Sequence, residues 1–238
     1  MLKEFVDKIV SLAPATITTL RGLEYADRPL CLIEPPRECA PLALMTLTGL
    51  VDAVRAKLDN LRPDGWVIEV MSHEAVRIVG RMTNPYGKRE VLLSVSLQDG
   101  DVFPFGRFLA REEFVIGLQS RFVPDLSMER LLKLASTLEA STVVLAEDDG
   151  ISQRTTVRQG VALKEDVKVQ GRVWLRPYRT FREVEQPPSE FVFRLRSKDG
   201  AVPECALFEA DGGKWKLDAV LTMKAWLEEK QLGLPVVA

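Results

Sequence analysis

The chain has 238 residues, of which 46% are hydrophobic and 28% are charged, and its formal net charge is −2. This composition is typical of a globular protein, and with the slightly negative balance no whole-molecule attraction to nucleic acid is expected. The cysteines, Cys31, Cys39 and Cys205, are odd in number and form no Cys-x-x-Cys pair, which argues against a disulfide framework or a zinc knuckle.

The first residues lack the apolar core of a signal peptide, and no run approaches the roughly 18 apolar residues of a membrane span. We therefore expect a cytoplasmic protein with no membrane partner.

In chain order, apolar spacing and turn residues predict a helix over 2–12, strands at 17–20 and 30–33, a helix over 41–61, strands at 66–70, 75–81 and 91–97, and a helix over 111–122. The helix over 41–61 is expected to begin at Pro41, because the missing N–H of proline has no helical partner in the first turn. The turn sequence Asn84-Pro-Tyr-Gly87 indicates that 75–97 is an antiparallel hairpin.

The remaining pattern predicts a helix over 127–139, strands at 142–146, 151–157, 167–175, 191–196 and 204–208, and a final helix over 214–231. Asp125 or Ser127 can cap the first of these helices. Asp149-Gly150 is the strongest hairpin signal in the chain. The final helix is expected to bury Leu217, Val220, Leu221 and Leu227.

Strand runs and helix runs do not alternate strictly, so the sequence predicts an α+β fold with mainly antiparallel sheets and packed amphipathic helices. Pro124 interrupts the pattern between two helices. We take this interruption as the boundary between an N-terminal α+β region, 1–122, and a C-terminal α+β region, 123–238.

Few catalytic chemistries fit the residues present. His73 is the only histidine, and we interpret it as a surface residue in a turn between two strands. The acidic triplet Glu147-Asp-Asp149 is a candidate site for a hard cation such as Mg²⁺, although aspartate is favoured at a hairpin tip for turn geometry alone. The sequence predicts no catalytic residue, no metal site and no cofactor.

Cations and aromatic residues alternate in one run, Arg176-Pro-Tyr-Arg-Thr-Phe-Arg182. Guanidinium groups bind phosphates and carboxylates, and aromatic rings can stack on a base. These residues therefore predict a ligand-binding surface formed by Arg176, Tyr178, Arg179, Phe181 and Arg182. The alternative is an internal network in which Glu183, Glu185 and Glu190 pair with the arginines and fix a long loop.

Gly212-Gly-Lys214 precedes the final helix and resembles a phosphate-binding helix start, so Lys214 is added to the predicted ligand-binding residues. The spacing of a P-loop is absent. The alternative is a simple strand-to-helix connection with Asp211 near the cap. Trp174, Trp215 and Trp226 are expected to be core residues.

Several motifs in the C-terminal half resemble the YfdQ-like family of phage and prophage proteins of unassigned function. They are Asp148-Asp-Gly-Ile-Ser-Gln153, Arg158-Gln-Gly-Val-Ala-Leu163, Leu175-Arg-Pro-Tyr-Arg-Thr-Phe181, Glu183-Val-Glu-Gln-Pro187 and Leu207-Phe-Glu-Ala-Asp-Gly-Gly-Lys-Trp-Lys-Leu217. The resemblance covers about 125–230 and is looser before it. It implies a phage origin and expression inside a bacterium, and it carries no catalytic residues.

Three functions are compatible with these observations. The first is a non-enzymatic phage accessory protein that binds a nucleotide or a phosphorylated small molecule and so sequesters a host immune signal. The second is a DNA-associated accessory factor in phage recombination or replication, which the overall acidity disfavours. The third is a carboxylate-dependent and metal-dependent phosphodiesterase using the acidic triplet. The sequence leaves a homo-oligomer open.

Overall fold

The computed structural model describes residues 2–12, 14–20, 23–27, 40–58, 61, 64–82, 89–98, 102–138, 143–148, 152–159, 163–196 and 202–238. Within these residues the helices are α1 (Leu2–Leu12), α2 (Leu47–Arg55), α3 (Arg111–Arg121), α4 (Leu126–Ser136) and α5 (Lys214–Glu229). The strands are β1 (Ile17–Leu20), β2 (Leu23–Ala26), β3 (Leu42–Leu44), β4 (Val67–Ser72), β5 (Ala75–Met82), β6 (Arg89–Ser96), β7 (Val143–Asp148), β8 (Ser152–Gln159), β9 (Leu163–Gln170), β10 (Arg172–Leu175), β11 (Ser189–Arg196), β12 (Glu204–Glu209) and β13 (Val236–Val237). No helix among the described residues is long and apolar enough to cross a membrane.

The chain divides into two compact units, Met1–Ala40 and Pro41–Ala238. The first unit contains α1 and an antiparallel hairpin of β1 and β2. Asp27 closes the hairpin, because its backbone N–H donates to the Thr16 carbonyl and its carboxylate accepts from the Thr16 N–H, both at 3.1 Å. The boundary predicted at residues 122 and 123 falls inside the second unit.

The described residues of the second unit form three sheets. A five-stranded sheet has the order β13-β4-β5-β6-β3, and two three-stranded sheets have the orders β10-β11-β12 and β7-β8-β9. Most neighbours are antiparallel, whereas β3 runs parallel to β6 and β13 runs parallel to β4. The predicted α+β class with mainly antiparallel sheets is confirmed, and the five-stranded sheet is mixed.

Two apolar cores stabilise this unit. In the first, α3 and α4 pack on the sheet of β10, β11 and β12 through residues such as Phe114, Leu131 and Phe191. In the second, α2 and α5 pack on the five-stranded sheet through residues such as Leu50, Ile78 and Met223. Strand β11 shows why the first core forms, since alternate side chains from Ser189 to Leu195 are buried on one face.

The helix predicted over 41–61 is wrong at both ends. Leu42–Leu44 is the edge strand β3, and the helix begins only after Thr46, whose side chain accepts from the Gly49 N–H at 3.1 Å. It ends at Arg55, close to Lys57 with its positive φ of 51°. Proline was therefore a weaker start signal than the side-chain cap five residues beyond it.

The strand predicted at 167–175 is two strands. It is divided at Gly171, because β9 pairs with β8 whereas β10 pairs with β11. The Asp125 cap of α4 is confirmed, and so is the antiparallel pairing of the strands predicted within 75–97, whereas the turn predicted at 84–87 lies outside the described residues. Antiparallel pairing of β7 and β8 agrees with the predicted hairpin, although its tip at 149–150 and the strand predicted at 30–33 lie outside the described residues.

Candidate functional site

The segment between β10 and β11 carries most of the predicted ligand-binding residues, and it is anchored at both ends. At its start, a short antiparallel bridge joins Pro177 to Phe122. Here the Val123 N–H donates to the Arg176 carbonyl and the Tyr178 N–H donates to the Arg121 carbonyl, both at 2.9 Å. The connection between α3 and α4 therefore fixes where residues 176–178 lie.

Gln186 fixes the rest of the segment from inside. Its side-chain oxygen accepts from the backbone N–H groups of Arg179 at 3.0 Å and Thr180 at 3.3 Å. Its side-chain nitrogen donates to the carbonyls of Phe181 at 2.9 Å and Val184 at 3.3 Å. The residue is buried, with 3% exposed, so the side-chain amide takes the place of water as the hydrogen-bond partner of these four backbone groups. No pattern in the sequence marks Gln186 for this role.

A cleft of about 310 Å³ lies beside this segment. Its walls come from the β4–β5 turn, the end of β6, the loop before α3, the segment itself, the end of β12 and the start of α5. The lining residues are His73, Glu74, Leu97, Gln98, Val102, Phe105, Tyr178, Arg179, Thr180, Arg182, Glu209, Trp215 and Lys216.

The loop before α3 reaches the cleft because Phe103 packs closely on Gly117 of that helix. A Cβ at Gly117 would lie 2.8 Å from the Phe103 ring, so a larger residue would push the ring away. Phe103 also makes an edge contact with Phe122, at 5.1 Å between ring centroids. These contacts set the position of Val102 and Phe105 in the cleft wall.

Arg179 forms the inner wall of the cleft, and only 5% of its side chain is exposed. One terminal nitrogen forms an ion pair with Glu209 and the other donates to the Ser189 hydroxyl. The guanidinium carbon lies 3.8 Å from the Trp215 ring centroid, a close cation–π contact. Both terminal nitrogens are engaged within the chain, as the internal-network interpretation predicted, although the carboxylate is Glu209 and not one of the three expected.

The charge of Arg179 persists at neutral pH. Burial lowers the pKa of its guanidinium to about 10, and the carboxylates of Glu209 and Asp211 oppose that shift. Arginine stays protonated in proteins, so Arg179 is a buried cation. The lowered pKa reflects the free-energy cost of removing this charge from water, which the contacts with neighbouring groups offset.

Arg182 and Lys216 are the exposed cations of the cleft. The Arg182 guanidinium lies over the Tyr178 ring, 3.6 Å from its centroid. Neither Arg182 nor Lys216 forms an ion pair with a carboxylate in the part of the chain that the structure describes. Lys216 was not among the predicted residues, and no pattern in the sequence marks it, because positions i and i+2 of a helix face different directions.

Three predicted residues lie outside the cleft lining. Arg176 pairs with Glu185 at 3.0 Å, with 39% of its side chain exposed. Phe181 is 1% exposed and belongs to the core under the five-stranded sheet. Lys214 lies 3.7 Å from Asp218. The cleft therefore brings together only Tyr178, Arg179 and Arg182 of the six.

The glycine-rich helix start is a strand-to-helix connection from β12 to α5. Gly213 is the N-cap residue with a positive φ of 82°. The Asp211 carboxylate accepts from the Gly213 N–H at 3.0 Å, so one anion-binding donor is already used by the chain.

His73 lies in the β4–β5 turn as predicted, but it is not a surface residue, since only 16% of its side chain is exposed. Its ring stands edge-on to Trp215 with 4.7 Å between centroids, and its Nε2 lies 3.1 Å from the Glu74 carboxylate. Burial lowers the pKa of His73, and the nearby charges of Lys216 and Arg179 lower it further while Glu74 raises it. The imidazole is therefore neutral near pH 7.

The tryptophans divide between core and surface. Trp215 is 6% exposed and Trp226 packs against the second core, as predicted. The prediction for Trp174 is wrong, because 56% of it is exposed on β10. Of the acidic triplet, Asp149 lies outside the described residues, and no cluster able to hold a metal ion occurs among those that are described.

Comparison of the chain with models of protein families, with curated proteins and with solved structures gives no match in any of the three. The resemblance to the YfdQ-like family therefore stays a prediction.

Proposed function

We propose that the protein binds a nucleotide or another phosphorylated small molecule in the cleft beside residues 178–182, without catalysing a reaction. The observation that supports this most is that two exposed cations, Arg182 and Lys216, line one cleft together with the Tyr178 ring that supports the Arg182 guanidinium. A phosphate can accept from the guanidinium and the ammonium, and a planar base can stack on the outer face of the guanidinium.

The buried side of the cleft supports the same proposal. Arg179 and its neighbours Trp215 and Glu209 are held by the protein, so this wall is formed before a ligand arrives. A preformed wall lowers the ordering cost of binding. Cleft volume also fits, since small-molecule sites occupy roughly 300–1,000 Å³.

A small anion is favoured over duplex DNA. Proteins that bind DNA tightly contact many phosphates along an extended basic surface. The cleft has a single concave surface that also contains the carboxylates of Glu74 and Glu209. In a phage, as the resemblance implies, binding a nucleotide would withdraw a signal from host defence.

A thermal-shift panel of linear nucleotides, cyclic nucleotides and sugar phosphates tests this function. A ligand at about 100 times its Kd adds about 2.7 kcal/mol of stability, which for a unit of this size raises the Tm by roughly 5–11 °C. The shift is expected to disappear in Arg182→Gln and Lys216→Gln.

Lys214→Gln is the matched control, because Lys214 is an exposed lysine on the same helix outside the cleft lining. It should keep the full shift. No shift with any member of the panel would refute the proposed function.

A further inference from the structure

We propose, on the basis of the proposed function, that the cleft selects a single nucleoside monophosphate and rejects cyclic dinucleotides and oligonucleotides. Three features of the cleft carry this inference: its size, the arrangement of its charges and the limited aromatic surface that is open to a ligand.

Size limits the ligand to one nucleotide unit. The cleft volume of about 310 Å³ lies at the lower end of the range for small-molecule sites. A base, a sugar and one phosphate fill a space of this order, and a second base would have to lie outside the walls.

Charge limits the ligand to one phosphate group. Glu209 already neutralises Arg179, so the cations left for a ligand are Arg182 and Lys216. A terminal phosphate carries between about −1.5 and −2 at pH 7, which two cations match. A second phosphate would approach the carboxylates of Glu74 and Glu209, whose repulsion opposes it.

The same charge count distinguishes a monoester from a diester. A phosphodiester, as in a cyclic mononucleotide, carries one negative charge and leaves one of the two cations uncompensated. We therefore infer that a terminal monophosphate binds more tightly than the cyclic monophosphate of the same nucleoside.

Some of the ring surface in the cleft is already used by contacts within the protein. Arg179 covers one face of the Trp215 ring at 3.8 Å, His73 makes a T-shaped contact with the same ring, and Phe105 stacks on Phe191 at 5.0 Å. The exposed Arg182 guanidinium, supported by Tyr178, offers a flat surface on which a base can stack. This surface serves one base.

Isothermal titration calorimetry of the full chain tests the inference. The probes are the four common nucleoside 5′-monophosphates, their 3′,5′-cyclic monophosphates, the free nucleosides, a dinucleotide and a cyclic dinucleotide. At least one monophosphate should bind about tenfold or more tightly than its cyclic form, as expected for one charged hydrogen bond. The cyclic dinucleotide should give no saturable heat.

Substitutions locate the site. Arg182→Gln and Lys216→Gln should each weaken the monophosphate about tenfold or more, whereas Lys214→Gln should leave its Kd unchanged. Circular dichroism checks that each variant is folded. Equal or tighter binding of a cyclic dinucleotide would overturn the inference and leave the proposed function standing. Failure of every probe, monophosphates included, would count against the proposed function itself.

Discussion

Replacing Gln186 by leucine tests whether a buried amide determines the shape of the segment that carries the cleft. Leucine is similar in size and apolar, so it fills the space and removes only the hydrogen bonds. Two backbone N–H groups and two backbone carbonyls then lose the partners they have in the folded protein.

The magnitude follows from these four bonds. Two have ordinary lengths, 2.9 and 3.0 Å, and two are longer at 3.3 Å. At about 1 kcal/mol for each good bond and somewhat less for each long one, Gln186→Leu should cost about 3 kcal/mol. For a unit of this size that corresponds to a fall in Tm of roughly 6–12 °C.

Chemical denaturation followed by tryptophan fluorescence is a suitable assay, because Trp215 lies in the wall beside the segment. Glu185→Leu is the matched control, since it places the same side chain at the adjacent position. Glu185 is 73% exposed and its ion pair with Arg176 lies at the surface, so the control should lose less than about 1 kcal/mol.

Equal stability of the two leucine variants would refute the argument that the amide bonds matter. A Gln186→Leu protein that is destabilised yet binds the ligand as tightly as the wild type would show instead that the segment keeps its shape without them.

Three further predictions follow from burial. Burial raises the pKa of the Cys205 thiol to about 12, so in a variant with serine at the other two cysteines the native thiol should react with a disulfide reagent only after denaturant is added. Burial lowers the pKa of His73 below its ordinary value of 6.5. The unfolded chain therefore binds a proton at this residue more readily than the folded protein, and the free energy of unfolding should fall as the pH drops below about 6.5. His73→Gln should reduce this fall, which urea midpoints measured from about pH 8 to about pH 5 would show. Phe191→Ala should cost about 3–5 kcal/mol of unfolding free energy, whereas Trp174→Ala should cost less than about 1 kcal/mol, because Phe191 is 0% and Trp174 is 56% exposed.

Local sequence patterns correctly predicted those features of the fold that depend on only a few neighbouring residues. The alternation in β11 and the cap at Asp125 are of this kind, and both are confirmed. Which face of α5 is buried was not predictable in this way. Leu217 and Leu221 are 59% and 52% exposed, because apolar side chains occur around much of this helix and the sheet decides which face is covered.

The candidate site depended on contacts between distant parts of the chain. His73, Glu209 and Lys216 meet the segment at 178–182 through the packing of two sheets and a helix. No spacing of residues along the sequence predicts these long-range contacts. The sequence therefore predicted the cations of the segment and Glu185 as a partner within it, but not the residues that meet the segment from other elements.

The three arginines spaced by three residues show the same limit. A 3₁₀ segment, with three residues per turn, would place Arg176, Arg179 and Arg182 on one face. Instead the segment turns repeatedly around Gln186, so Arg176 points to a surface carboxylate, Arg179 is buried and Arg182 lines the cleft.

Some residues of the segment pack in an apolar core, and others line the cleft. Phe181 and Val184 lie in the core that α2 and α5 form with the five-stranded sheet, whereas Leu175, just before the segment, lies in the other core. A change at these buried positions must alter stability and cleft shape together. Arg182 is exposed, so its charge can be removed without disturbing either core. Under the proposed function, binding and folding are therefore separable at Arg182, and a loss of affinity in a variant of unchanged stability would report on ligand contact alone.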